Sequence, residues 1–145
     1  MILLELFKTY LAGPMSHQSF DEQLKWITQL KDGLLYGGYE YKKKPELFIP
    51  PLYYNFEEKH HKSEREVLNF DLNRLRNSDL VIALFNGIES VGTVMEVAVA
   101  YENRIPVIVY NTTGGILHPW VTEMSTRECT DMRELVEYIV EYFLN

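Results

Sequence analysis

Two carboxylates stand out in this sequence because of where the surrounding pattern puts them. Glu96 follows a continuous apolar run, Leu80 to Phe85, and then a glycine-bearing loop from Asn86 to Gly92. An unbroken run of that kind reads as a strand buried on both faces. The helix after it is expected from about Val94 to Asn103, with Thr93 as its N-cap and Glu96 three residues on. Two readings of Glu96 follow. One is a capping box, in which the carboxylate satisfies a backbone N–H. The other sees a carboxylate in the first helical turn at the carboxyl end of a central strand, where the helix dipole favours the ionised form. An ionised carboxylate is what attack on a sugar carbon requires. Gly87 and Gly92 would let the backbone approach a ligand closely.

Asp71 is the second. The helix expected from Ser63 to about Asn77 carries an apolar stripe of Val67, Leu68, Leu72 and Leu75, and helical spacing puts Asp71 inside it. A charge on a core-facing side is costly unless partnered. Asp71 is therefore either a buried structural carboxylate or a carboxylate at a pocket edge shared with Glu96. Two carboxyls in one cleft can divide the work, one ionised and one carrying a proton. Asp79, at the amino end of its strand, is read as a turn residue.

The elements that must position these groups alternate. An apolar run from about Leu3 to Ala12 ends at Gly13-Pro14. A helix is expected over Phe20–Leu35, with Leu24, Ile27, Leu30 and Leu34 at helical spacing and Gly37-Gly38 as its stop. A short strand near Leu47–Ile49 closes on Pro50-Pro51. Ser63 and Glu66 form a capping-box pattern ahead of the Asp71 helix. Strands are expected at Leu80–Phe85 and Pro106–Tyr110, then loop at Asn111–Gly115, a short helix or irregular segment to about Met124, a weak strand near Thr126–Cys129 and a last helix capped by Asp131. Such alternation implies one domain, residues 1–145, built as a doubly wound parallel sheet with helices on both faces. Ligands of such sheets sit beyond the carboxyl ends of the strands, where strand order reverses. The loops to search are Gly13–Ser19, Pro50–Lys62, Asn86–Glu96 and Asn111–Pro119.

Composition narrows the partners. The 145 residues carry 14 basic and 21 acidic side chains, a formal net charge of −7, which argues against a polynucleotide partner. Lys42–Lys43–Lys44, the one basic cluster, reads as a solvated loop. Small anions remain admissible at helix N-termini. No apolar run reaches membrane-spanning length and no signal segment is seen, so no membrane partner is expected and a cytoplasmic setting follows by default. The single cysteine, Cys129, fits that setting. His60 and His61 are adjacent and make a poor metal pair; neither metal nor cofactor is expected. Tyr53, Tyr54 and Phe56 read equally as base-stacking residues or as a loop packed on its own rings.

The ordered set Tyr10-Leu11-Ala12-Gly13-Pro14, then Asp71, then Leu75-Arg76-Asn77-Ser78-Asp79-Leu80-Val81, then Gly92-Thr93-Val94-Met95-Glu96 and the strand of Pro106-Val107-Ile108 resembles the nucleoside 2-deoxyribosyltransferase family. That family also includes the deoxynucleoside 5′-monophosphate N-hydrolases. The resemblance implies a flavodoxin-like five-stranded parallel sheet and a double displacement on a small nucleoside or nucleotide. By the same resemblance Glu96 matches the nucleophile, Asp71 the carboxylate that handles the proton of the base, and Tyr10 the tyrosine that holds the nucleophile. Gly13, Pro14, Met15, Ser16, Ser90, Gly92 and Thr93 are the implied substrate-binding positions. Ser90, six residues before Glu96, matches the serine of the 5′-monophosphate hydrolases rather than the aspartate of the nucleoside transferases. The loop Gly13-Pro14-Met15-Ser16-His17 reads more like the transferase loop. Ser16 and His17 either contact a phosphate or cap the Phe20 helix. Val94 and Val97-Ala98 stand where many relatives are smaller, implying tighter packing behind Glu96. His118 falls where the family has a polar residue reaching into a neighbouring subunit's site, implying a homo-oligomer with shared active sites; the other reading is a surface loop histidine. A non-catalytic nucleotide-binding or sensor domain is the competing function class. The trio of Tyr10, Asp71 and Glu96 separates the two, since a pure binding module has no need of it.

Overall fold

A computed structural model of the chain describes residues 4–14, 20–50 and 63–145. Met15, Ser16 and His17, and likewise Tyr53, Tyr54, Phe56, His60 and His61, lie outside the described residues. The elements run β1 (Glu5–Ala12), α1 (Phe20–Tyr36), β2 (Lys43–Phe48), α2 (Glu64–Arg76), β3 (Leu80–Phe85), α3 (Val91–Glu102), β4 (Val107–Asn111), α4 (Pro119–Met124), β5 (Arg127–Cys129) and α5 (Met132–Ile139), which ends in a π-helical turn at Val140–Leu144. No helix among the described residues is long and apolar enough to cross a membrane.

All five strands are parallel, in the order β2-β1-β3-β4-β5. This is the flavodoxin-like order, and its reversal point lies between β1 and β3. Period-two alternation divides the core. Phe7 and Leu11 of β1, Leu80, Ile82 and Leu84 of β3, and Ile108 and Tyr110 of β4 pack with α1 and α5. Tyr10 and Ala12, Val81 and Ala83, and Val107 and Val109 face the other way, onto α2, α3 and α4. The even position of Tyr10 in β1 thus sends its phenol toward the helices that carry both carboxylates.

Asp79 is a turn residue in the strict sense. Its Oδ2 accepts from the Lys8 N–H at 2.8 Å and its own N–H donates to the Lys8 carbonyl at 2.7 Å, tying the α2–β3 turn to β1. Ser63 caps α2 and Asp131 caps α5 as expected, accepting from the N–H groups of Glu66 and Glu134.

Three expectations are corrected. The second strand runs Lys43–Phe48 rather than Leu47–Ile49, so Lys43 and Lys44 belong to a strand and not to a loop. β2 lies at the sheet edge, where lysines and a proline are tolerated because one side of the strand faces solvent; Pro45 and two lysines had hidden it. The stripe on α2 is shallow: Leu75 is buried, whereas Leu68 is exposed. The third correction concerns the start of α3.

Candidate active site

α3 begins at Val91, capped by Ser90 rather than Thr93. Ser90 is extended (φ −142°, ψ 102°), and its Oγ accepts from the Thr93 N–H at 3.2 Å and lies 2.8 Å from the Thr93 hydroxyl. Both residues are good caps by type; the earlier one wins, and Thr93 is buried inside the first turn. With Val91 as the first helical residue, Glu96 is the sixth and falls in the second turn. The capping-box reading of Glu96 therefore fails, and so does the dipole argument, because that effect fades beyond the first turn.

What governs Glu96 is its side of the helix. Thr93, Val97 and Ala100 are the buried residues of α3, and Glu96 shares their stripe at i, i+3, i+4 and i+7 from Thr93. It faces the sheet. There the Tyr10 hydroxyl, 0% exposed, donates to Glu96 Oε2. Burial pushes the Glu96 carboxyl up to about 7; the Tyr10 hydrogen bond pulls the other way, and the charge of Asp71 adds to the rise. The sequence had suggested a carboxylate held in its ionised form. The structure gives one poised near neutrality, the range in which acid–base and nucleophilic groups can change state.

Asp71 reaches this cluster from α2, and its Oδ1 is shielded from solvent. Three elements, β1, α2 and α3, thus bring Tyr10, Asp71 and Glu96 together beside the β1/β3 reversal point.

The other expected positions are placed as follows. Gly13 and Pro14 leave the end of β1, and a Cβ on Gly13 would sit 3.5 Å from Leu84 and 3.6 Å from the Trp26 indole nitrogen, ordinary contact distances. Gly92 is exposed with open space where a Cβ would go. Ser90 and Thr93 line a cavity of about 530 Å³ with Phe85, Ile88, Met95 and Leu117. This cavity opens on the β4 side of α3, whereas Glu96 faces β1 and α2, so the trio does not line it. A groove of about 590 Å³ between Arg104 and Glu123 lies at the amino ends of β4 and β5, the edge away from the trio. His118 is exposed and caps α4, its Nδ1 accepting from the Trp120 N–H at 3.1 Å; its described contacts are with α4, not with Glu96. Val97 does pack inward behind Glu96, but Val94 points outward.

Sequence reasoning passed over two groups. Asn111 is a buried residue of β4 rather than loop; its side chain accepts from the Thr113 N–H and hydroxyl and donates to the Gly115 carbonyl, shaping the loop before His118. Phe48 and Phe70 extend the Tyr10 ring into an aromatic file. The signal for Phe48 was the strand that the lysines obscured.

A parallel sheet of this order brings two carboxylates and a phenol together beside its reversal point. The nucleoside 2-deoxyribosyltransferase family profile matches residues 9–141, and the chain belongs to that family. Among solved structures, a 2-deoxyribosyltransferase from Bacillus psychrosaccharolyticus is 21% identical with a TM-score of 0.72, over 90% of this chain and 91% of that one. The CMP N-glycosidase BcmB of Clostridium botulinum is 18% identical with a TM-score of 0.58, over 93% and 99%. A 2-deoxyribosyltransferase from Leishmania mexicana is 16% identical with a TM-score of 0.63, over 95% and 99%. At these identities the likeness is one of fold. No curated protein sequence matches the chain at a significant level.

Proposed function

We propose that this protein breaks the N-glycosidic bond of a 2′-deoxynucleoside or its 5′-monophosphate by double displacement. The observation that carries the reading is the Tyr10 hydroxyl on the Glu96 carboxylate, with the charge of Asp71 facing the same group. In the first step, with Glu96 ionised and the one proton of the pair on Asp71, a Glu96 oxygen attacks C1′, and the base departs with the bonding electrons as Asp71 delivers that proton to it. The product is a deoxyribosyl ester of Glu96. In the second step a nitrogen of another base, or water, attacks C1′, gives its proton to Asp71 and frees the Glu96 carboxylate. Two inversions retain configuration, which suits carboxyl groups about 5 Å apart. Tyr10 steadies the carboxylate between steps, and Gly13, Pro14, Met15, Ser16, Gly92 and Thr93 are the proposed sugar and base contacts.

Ser90 supports a narrower second reading, strict hydrolysis of 5′-monophosphates. Its hydroxyl is neutral and stands at the N-terminus of α3, where N–H groups favour an anion; an aspartate there would repel phosphate. One assay decides between the branches. Each deoxynucleoside and each dNMP is incubated with and without a second free base, and free base and exchanged product are quantified. Release from dNMPs without exchange would establish the narrower reading, and exchange confined to unphosphorylated substrates would exclude it. No base release or exchange from any of them would overturn both.

The same proposal includes a homo-oligomer with shared active sites. α3 (VGTVMEVAVAYE) is apolar on every side, a composition that belongs to a covered helix. Yet Val91 is 65%, Val94 42% and Met95 61% exposed, and Trp120, beside His118 on α4, is 74% exposed. A second copy of this chain covering α3 would bury these side chains and bring its own α4 region close to the first site. Val94→Glu with Met95→Glu places two charges in that contact. The double variant should sediment as a monomer where the native protein sediments as a larger species, with base release reduced at least about tenfold, since a buried unpaired charge is severely penalised. A native protein that is already monomeric would remove this part of the proposal.

A further inference from the structure

From Tyr10 a file of rings runs outward through Phe48 and Phe70, to which the two displacement steps assign no task. Tyr10 and Phe48 are partners in the parallel register of β1 and β2, so their side chains leave the sheet on one face. Their rings stack with centroids 5.4 Å apart and planes 25° from parallel. Phe48 then meets Phe70 of α2 at 5.9 Å. Arg74, one turn beyond Phe70, sets its guanidinium over both rings, 5.5 Å from Phe48 and 5.7 Å from Phe70. The file runs from wholly buried Tyr10, through half-buried Phe48 and Phe70, to exposed Arg74.

Geometry gives this file a consequence. The hydroxyl of Tyr10 sits at the far end of a rigid ring, so a small tilt of the ring displaces the hydroxyl much more than it displaces the Cβ. Phe48 bears on that ring from β2, an edge strand paired in the sheet with β1 alone. Phe70 and Arg74 supply, from α2, the support that a second neighbouring strand would otherwise give. Phe70 is also the residue next to Asp71, so one helix carries a carboxylate of the site and the outer support of the phenol.

We propose that Phe48 is a positioning residue: its ring, held from outside by Phe70 and Arg74, sets the tilt of Tyr10 and thereby keeps the phenol hydroxyl on the Glu96 carboxylate. The inference rests on Glu96 being the attacking group as far as activity is concerned. Among the described residues, the titratable groups facing Glu96 are Tyr10 from β1 and Asp71 from α2.

The test uses Phe48→Leu and Phe48→Tyr, each alone and combined with Tyr10→Phe. Phe48→Leu should lower kcat about tenfold with KM changed by less than about twofold, because misplacement of a group that acts in the transition state falls on kcat. The pH midpoint should move upward, since a weakened hydroxyl contact stabilises the carboxylate less. Phe48→Tyr keeps the stacked ring and should restore the native profile. In the Tyr10→Phe background, Phe48→Leu should cost less than about twofold, the signature of two residues acting through one contact. A full tenfold loss in that background, a loss confined to KM, or a Phe48→Tyr variant as impaired as Phe48→Leu would overturn the proposal. Titration of the Glu96 side-chain carboxyl by carbon NMR in the free protein gives a readout that needs no turnover. It should show the same upward shift in Phe48→Leu, and an unmoved titration overturns the proposal even if the native enzyme acts as described. If the native protein releases no base at all, the functional reading fails while this titration still decides the role of Phe48. Should Phe48→Leu not fold, Arg74→Met loosens the same ring from the surface and is expected to raise the midpoint as well; an unmoved midpoint there overturns the proposal.

Discussion

Replacing Glu96 by Gln is expected to lower base release by about a thousandfold or more, about 4 kcal/mol of barrier, and at the same time to make the protein harder to unfold at pH 8. The first effect follows from losing the anionic carboxylate that attacks C1′ in the first proposed displacement. The second follows from burial. The Glu96 carboxyl is raised from 4.5 to about 7 in the folded protein, so the fold prefers the protonated form. Below pH 4.5 folded and unfolded chains are both protonated at this position, and the fold pays no penalty. Between pH 4.5 and about 7 the unfolded chain gives up its proton more readily, and stability falls as pH rises. Above about 7 the loss is complete, with a ceiling of about 3 kcal/mol. Gln cannot ionise and escapes it. The melting-temperature difference between Glu96→Gln and the native protein should therefore grow from pH 4.5 to 7 and then level off. A stability advantage of Glu96→Gln over the native protein that is no larger at pH 8 than at pH 4.5 would contradict the account of this carboxyl. The reactive form has Glu96 ionised and the proton of the pair on Asp71, so native kcat/KM should rise with pH as Glu96 ionises and fall again once that proton is lost. The proposed nucleophile is thus also a group the fold holds at a cost.

Asp71→Asn is expected to lower base release about a hundredfold to a thousandfold, within the usual range for removing a group that protonates a leaving group. Asn keeps the shape of Asp and cannot supply the proton. The loss should depend on the leaving group. A 2-deoxyribosyl compound whose leaving group departs readily as an anion should be cleaved by Asp71→Asn at close to the native rate, while natural deoxynucleosides or nucleotides are not. A second, opposite sign accompanies this. The charge of Asp71 contributes to the rise of the Glu96 carboxyl, after burial; without that charge Glu96 ionises more easily, and the pH midpoint of the residual activity should fall. Equal losses on activated and natural substrates, with an unmoved midpoint, would assign Asp71 a structural role instead.

Much of this arrangement could be read from residue spacing, but not all of it for the right reason. The apolar run Leu80–Phe85 gave a central strand with the observed boundaries, because a strand buried on both faces needs no polar residue to interrupt it. Asp71 was found by its place within a helical stripe. Glu96 was found from an incorrect helix start. Ser90 and Thr93 are both competent caps, local sequence does not choose between them, and the choice decides whether Glu96 is a first-turn or a second-turn residue. The stripe Thr93, Glu96, Val97 and Ala100 was present in the sequence and is the better argument, since it says directly that a carboxylate faces the sheet. β2 was shortened because Lys43, Lys44 and Pro45 look like loop until the strand is known to lie at an edge, and edge position is a property of topology rather than of local pattern. With β2 shortened, the register that stacks Phe48 on Tyr10 could not be seen. The exposed apolar face of α3 escaped for a similar reason: an apolar helix reads as core, and only the folded chain shows which of its sides is left uncovered.

The covalent deoxyribosyl–Glu96 ester is the claim on which the mechanism stands, and it is open to direct observation. The protein is mixed with a deoxynucleoside or dNMP, quenched in acid within a single turnover, digested and analysed by mass spectrometry. The account predicts a mass increase of one deoxyribosyl group, or of its 5′-phosphate when a dNMP is used, on the peptide containing Glu96 and absent from Glu96→Gln. Base release in a single turnover with no adduct at Glu96, or with an adduct on another residue, would contradict it.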